Sequence, residues 1–565
     1  MPAARLLRAL LRRAWPGVSV VVVAAMALAT GSMRGDSATD DEPAHIAAGY
    51  VELARGDLSP FPYHPPLASS LAAAPLLAAP VRLPADWATA PNPWNLGHEL
   101  LYHGGNDADR LLRLARVPTL LLLAGLGALA AWWCFTLTRS VPATLAVCVL
   151  VELCPNLLAH GHLATLDLPL TVFVFLAVLA LLRWLHAPSL LRAAAASVAV
   201  SAALLTKISA LALLPWLAAM LAVQLVRGRR GGSNGRLLAG GVVLAALVIA
   251  EIELFYLALM RSWWLRIAYP RLAGSLLGRL TIPMREYLHT CALVRSLMAE
   301  GFAKPQYLLG EFSTHGWWYY YPVAFLLKTT LPALLLVLVA AAARVVVRGN
   351  PSAEAPRPWL DELGIALFVV IYLAAAMSGS LAFGLRHVLP IYPFVYLLAA
   401  VWIAEAAAAA GKRDRATLWA VATALLVWHA REAVAAYPGY IGYFNQLVGD
   451  RAHADRYLID SNLDWGQDLG RLVRWVDAHH VTQIDVDYFG GGDVRYYLGD
   501  RARVLAGPDP RARRPGYVAV SKQYERTSTL ERPFGIDYEQ YLAGATHVTT
   551  VGSSIDVWWI PPPSR

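Results

Sequence analysis

The sequence predicts a polytopic α-helical membrane protein that ends in a small α/β domain. Three observations carry that prediction. Of 565 residues, 57% are hydrophobic and only 15% charged, where soluble domains carry about 25% charged residues. The apolar residues gather in runs near the roughly 20 needed to cross a bilayer. After residue 435 those runs stop, and Asp, Arg, Gly and Tyr rise.

Eleven runs are candidate spans: 15–33, 113–135, 143–160, 168–186, 193–206, 208–226, 237–260, 322–343, 362–383, 388–407 and 416–435. The first follows Arg5, Arg8, Arg12 and Arg13 and is longer than the apolar core of a cleaved signal, which predicts a retained anchor helix. With the N-terminus cytoplasmic, the arginine-bearing loops at Arg139, 183–192, 227–230, 344–357 and 412–415 all fall inside, as the positive-inside rule requires. The same loops account for the net charge of +9. No basic stripe or arm is present, so no nucleic-acid partner is expected. Only Lys207 separates 193–206 from 208–226, and reading them as one broken helix would invert every later loop. An odd number of spans places the tail outside.

The outer face then collects the first loop 34–112, the turn 161–167, the segment 261–321, the turn 380–387 and the tail. Within the first loop, the run 67–83 is broken by Pro75 and Pro80 and is too short to span, so it is expected to lie along the interface. Trp263, Trp264, Trp317, Trp318, Tyr319, Tyr320 and Tyr321 in the second long loop predict an interfacial aromatic belt. Alternation at 483–488 and 517–520 predicts strands, and 467–479 a helix. The expected division is a membrane domain, 1–435, and an outer domain, 436–565. Cys134, Cys148, Cys154 and Cys291 offer neither a disulfide framework nor zinc spacing and read as packing residues.

The candidate chemistry begins at Asp40-Asp41-Glu42-Pro43-Ala44-His45, just past the first span. Acids beside an apolar segment are costly unless they face water and have a task. Pro43 fits only the first turn of a helix, so Asp41 and Glu42 should stand at a helix mouth, with His45 one turn in. Thr39-x-x-Glu42 also has the form of a capping box. A second acid, Asp167, is a natural N-cap before Pro169. Two carboxylates on one face could divide the work of general base and of positioning an acceptor or an ion. Lys207, Lys328 and Arg386, with His387 beside it, sit at outer span ends, where the positive-inside rule does not expect cations. One such residue can snorkel to headgroups; three at one depth suit an anion. A phosphate whose apolar tail lies in the bilayer is the ligand that fits. His45, His64, Glu42, Glu311 and His315 match no metal motif, and a divalent cation stays open as a cofactor.

These residues resemble a known family. Asp41-Glu42-x-x-His45, His64-Pro65-Pro66-Leu67, Ala164-Thr165-Leu166-Asp167-x-Pro169, Thr206-Lys207, Gly310-Glu311 with 316–322 and Lys328, and 384–390 around Arg386-His387 are similar to the bacterial protein-mannosyltransferase-like branch of the GT-C glycosyltransferases. The similarity runs through most of 30–400, and the order and sidedness of the motifs carry it. The segments 443–449 and 460–469 are similar to the C-terminal region of bacterial members. Asn462, Asp464, Trp465 and Gln467 there suit sugar recognition, a ring stacking on a pyranose while polar groups read hydroxyls.

The resemblance implies an enzyme of the bacterial cytoplasmic membrane that takes a sugar from a polyprenyl-phosphate carrier, at the outer face, to an acceptor hydroxyl on protein, lipid or glycan. It implies Asp41 as base, with Glu42 and Asp167 as positioning acids and inversion at the anomeric carbon. Lys207, Arg386, His387 and Lys328 would hold the leaving phosphate, with His45 and His64 nearby. The rival class is a transporter or flippase of a lipid-linked glycan. Transporters keep their ionisable groups near the midplane and show repeats; here the charges sit at span ends and no repeat is visible.

Overall fold

The computed structural model describes residues 12–61, 63–85, 87–90, 92–228, 234–259, 285–299, 305–348, 359–505, 513–531 and 535–563. Arg5, Arg8, Arg229, Arg230, Trp263, Trp264 and the larger part of the 344–357 loop lie outside them. Each of the eleven apolar runs contains a helix among the described residues, although some runs extend past its end. Among the described residues, seven helices are long and apolar enough to cross a membrane, or nine if each of two bent pairs is one span.

The bends follow the sequence. Val141–Glu152 and Pro155–Gly161 meet at 58°, and Tyr320–Lys328 and Leu331–Val347 at 109°. Pro155 and Pro332 stand in the first turn of the second member of each pair, where proline can start a helix but not continue one. The two remaining expected spans are different. Leu190–Leu204 has 15 residues, which at 1.5 Å each is about 22 Å. Lys412–Ala436 carries Lys412, Arg413, Asp414 and Arg415 in its first turn and Arg431 and Glu432 further along, and is not apolar enough to count.

The helices Asp167–His186 and Leu385–Ala409 run through the middle of the bundle and are the most enclosed. The chain after the last long helix does not leave the bundle at once. Tyr440, Phe444, Leu458, Leu463 and Trp465 pack in the same core as the membrane helices. A separate core begins with the helix Leu469–Ala478, expected at 467–479, which lies on a five-stranded sheet.

Among the described residues there are seven strands. The first two, β1 (Gln306–Leu308) and β2 (Glu311–Ser313), form a small hairpin. The sheet contains β3 (Ile484–Asp487), β4 (Ala502–Val504), β5 (Gly516–Ser521), β6 (Thr546–Val551) and β7 (Ile555–Ile560), in the order β4-β3-β5-β7-β6. Pairing is parallel on both sides of β3 and antiparallel on both sides of β7. The alternation at 483–488 and 517–520 thus falls on β3 and β5, side by side. Among the aromatics expected in an interfacial belt, Trp318 is exposed, but Tyr320 and Tyr321 are buried inside the bundle.

One buried pair joins the second span to the first loop. Arg116, on the helix Ala108–Thr138, donates from Nε to Glu42 Oε1 at 2.7 Å and from Nη2 to Oε2 at 2.6 Å. Its remaining N–H groups reach the carbonyls of Met33, Asp36 and Ser37. Both side chains are wholly enclosed. Losing one partner strands the other without solvent, a change that costs about 3–5 kcal/mol. Arg116→Leu is therefore expected to lower the thermal unfolding midpoint of the purified protein sharply, and a midpoint unchanged from wild type would contradict the role given to this pair.

Candidate active site

Pro43 sets where the first outer helix starts. That helix, Glu42–Arg55, has Asp41 at its N-cap and Pro43 within its first two positions. The Asp41 carbonyl accepts from His45 N at 3.2 Å, but its side chain makes no capping bond, and its Oδ2 accepts from Arg386 Nη1 at 2.6 Å. The same Nη1 lies 3.7 Å from Asp167 Oδ2. Asp167 Oδ1 in turn accepts from Lys207 Nζ at 2.7 Å. The four side chains form a row of alternating sign, Asp41, Arg386, Asp167 and Lys207. Only 19% of the Asp41 side chain is exposed, with 14% of Arg386 and 9% of Lys207.

Asp41, Lys207 and Arg386 open into a cavity of about 680 Å³. His45, His64 and His387 share that polar end. Ile208, Leu211, Tyr372, Ala376, Leu381 and Phe383 are among the side chains that make the remainder apolar. Phe61, Tyr63 and Trp94 flank the head, with ring centroids 5.6 Å and 6.1 Å from Phe61. Backbone contacts hold the pieces in register: Leu67 N donates to Leu205 O at 3.0 Å, which brings the His64 turn against the Lys207 turn.

Several nitrogens at the head have no hydrogen-bond partner among the described residues: Arg386 Nε, His45 Nδ1, His64 Nδ1 and His387 Nε2. Buried polar groups are normally satisfied, so these atoms mark where a ligand's oxygens would be met. Burial lowers the His45 pKa to about 4 and pushes His64 well below its usual value. Both rings are neutral at neutral pH and offer an N–H without a charge. Burial also raises the Asp41 carboxyl, but the Arg386 guanidinium and His45 outweigh it and the net shift is downward. Asp41 is ionised whenever Arg386 stands beside it.

Other expected site residues are placed differently. Glu42 faces Arg116 and also accepts from Thr39 N at 2.9 Å, Thr39 Oγ1 at 3.1 Å and Ala164 N at 2.7 Å. The capping-box contact is present, and Glu42 is a brace closed off from the cavity. Asp167 is 1% exposed and meets the two cations without lining the cavity. Lys328 donates to the carbonyls of Ile441 and Asn462 and lies 4.5 Å from the Phe444 ring, tying the bundle to the following segment and away from any phosphate in this cavity. Asn462, Asp464 and Gln467 are buried and bonded within the protein, to Leu385 N and Tyr320, to Gln523 N, and to Leu463 O respectively. They have no free edge to read a sugar. Trp465 reaches the site, 4.3 Å beneath the Arg386 guanidinium.

The aromatic flank and the Arg116 brace were not found by sequence reasoning. Arg116 stands at the start of an apolar run, just after Arg110 and Arg113, where an arginine does not by itself single out a buried partner. Phe61, Tyr63 and Trp94 had no signal either, because aromatic residues in a long loop serve many ends. Among the described residues, no three His, Cys, Asp or Glu side chains are grouped to hold a metal ion. Glu311 and His315 lie on and just after the β1–β2 hairpin, exposed.

Two solved structures are similar to the chain in overall course. ArnT from Cupriavidus metallidurans, bound to undecaprenyl phosphate, is 14% identical over 97% of this chain and 99% of that one, with a TM-score of 0.46. The archaeal oligosaccharyltransferase AglB from Archaeoglobus fulgidus, in complex with an inhibitory peptide and a dolichol-phosphate, is 11% identical over 95% of this chain and 74% of that one, with a TM-score of 0.43. No family model matches the sequence, and no curated protein does.

The Glu42–Arg55 helix is pinned at its far end by Glu52, which accepts from Ser69 Oγ and Ser70 Oγ at 2.9 Å each. The two helices cross so closely that a Cβ on Gly49 would lie 2.0 Å from Ser69 O. Burial raises the Glu52 pKa to about 7, against roughly 4.3 in an unfolded chain. The folded state thus binds the extra proton, and this contribution is full below about pH 4 and lost as pH rises through 7. Glu52→Gln should therefore melt higher than wild type at pH 8 and level with it at about pH 4; an equal difference at both pH values would contradict a neutral Glu52.

Proposed function

We propose that the chain is an integral-membrane inverting glycosyltransferase. It moves a sugar, mannose or another hexose or pentose, from a polyprenyl-phosphate carrier to an acceptor hydroxyl on a protein, lipid or glycan. The observation that carries this reading is a single cavity whose head holds a carboxylate and two cations and whose remaining wall is apolar. An amphiphile with an anionic head and a long hydrocarbon tail matches that lining. The topology implied by the arginine loops supports a site on the outer face of the bacterial cytoplasmic membrane.

Asp41 is the general base. It takes the proton of the acceptor hydroxyl as that oxygen bonds to the anomeric carbon. The bond from that carbon to the phosphate oxygen breaks, its electron pair leaves with the lipid phosphate, and attack opposite the leaving group inverts the centre. Lys207 and Arg386 stabilise the departing anion, helped by the neutral N–H group of His64 and by His387 beside Arg386. Asp167 keeps the two cations apart and aimed, and His45 stands beside the base. A donor phosphate draws on the guanidinium that now pairs with Asp41, so the carboxylate regains basicity as the donor binds.

Asp41→Asn tests the base. A polyprenyl-phosphate-sugar transfer assay on folded protein should show a loss of about 10²–10⁴-fold, the usual share of proton abstraction. Full activity would overturn the assignment, and movement of the lipid-linked glycan across vesicles without any transfer would favour a flippase. The ion pair predicts a pH effect of known sign. With Arg386 present the acid limb of kcat/KM that belongs to Asp41 lies below the usual carboxylate range near 4. Arg386→Gln should move that limb upward while lowering the rate, and a limb that stays in place would separate the two residues.

A further inference from the structure

We propose that Trp465 is a positioning residue of the active site, its indole seating the Arg386 guanidinium so that the N–H edge can pass from Asp41 to a donor phosphate. The inference rests on the reading of Asp41 and Arg386 given above. The Arg386 guanidinium carbon lies 4.3 Å from the centroid of the Trp465 ring. The indole is 1% exposed, and His160 meets it edge-on with centroids 5.8 Å apart. A guanidinium stacked on a ring keeps its in-plane N–H groups free for oxygens. Here one of them reaches Asp41, and Nε has no partner among the described residues.

The segment that carries Trp465 is tied to both sides of the site. Trp465 O accepts from Asp40 N at 3.0 Å and Gln467 O from Ser37 N at 3.0 Å, which fixes the loop leading to Asp41. Asn462 Oδ1 accepts from Leu385 N at 3.0 Å and Ser461 Oγ donates to Phe383 O at 2.8 Å, which fixes the turn that carries Arg386. Gly466, at φ +92°, closes the segment so tightly on Gly490 that a Cβ would lie 2.4 Å from that Cα. One strand of chain thus sets the base and the cation relative to each other. Without the ring as a floor, the guanidinium, already 3.7 Å from Asp167, would settle between the two carboxylates and leave less of its edge for an anion. The ring face turned to Arg386 is not open to a sugar, so the tryptophan serves the donor side and not the acceptor.

The test uses the full-length protein in nanodiscs, titrated with a polyprenyl phosphate as probe. Trp465→Leu should weaken binding about tenfold or more, as loss of a desolvated cation–π contact implies. Trp465→Phe, which keeps a ring face, should stay within about threefold. The double variant W465L/R386Q should bind no worse than R386Q alone, because the seat acts only through the arginine. If W465L does not fold, Trp465→Met is read in its place. Wild-type affinity in W465L, an equal loss in W465F, or additive losses in the double variant would each overturn the inference while leaving the transferase reading intact. A wild type that binds no polyprenyl phosphate would overturn both.

Discussion

The Arg116–Glu42 pair is the contact on which the placement of the site depends. It is buried on both sides, bidentate, and surrounded by carbonyls and N–H groups that use up its remaining hydrogen bonds. Five pieces of chain meet there: the end of the first span, the loop after it, the start of the Glu42–Arg55 helix, the helix Ala108–Thr138 and the turn before Asp167. A buried ion pair is not in itself a strong source of stability, since desolvation opposes it. What it supplies here is register. Asp41 is the next residue along, and it is held at a helix mouth because its neighbour is locked.

The active row carries that rigidity into electrostatics. Asp41, Arg386, Asp167 and Lys207 alternate in sign, so the head of the cavity is close to neutral although it contains four charges. Each cation is kept extended by an acid, and each acid is kept ionised by a cation. An arriving anion has only to share contacts that already exist, and the protein rearranges little at that moment. The buried neutral histidines add donors without adding charge, which avoids an excess of cations in a low-dielectric pocket.

Much of this was legible in the sequence, for physical reasons that differ by residue. Apolar runs marked every long helix because bilayer thickness imposes a length. Pro43 set Asp41 at the N-cap because proline tolerates few positions. Lys207, Arg386, His45, His64 and His387 reach one cavity because sidedness placed them at one end. Sidedness fails at finer range. Glu42 and Lys328 lie at the same end as the cavity, yet each faces a partner that sequence spacing does not reveal, Arg116 in one case and two carbonyls of a distant segment in the other. The polar residues of 460–468 looked suited to a ligand, but most of their hydrogen bonds turn inward to fold that segment against the bundle. A list of polar side chains cannot show which of them are already satisfied.

The short helix Leu190–Leu204 has a consequence for the bilayer itself. At about 22 Å it falls short of a hydrocarbon layer of about 30 Å, and its C-terminal end leads through Leu205 and Thr206 directly to Lys207. A membrane meeting so short a helix thins locally, with headgroups and water drawn inward beside it. At that flank the boundary between oil and water descends toward the cationic head of the cavity. Under the proposed function, the charged head of a carrier would then stay hydrated over most of its approach, shedding water only close to Lys207.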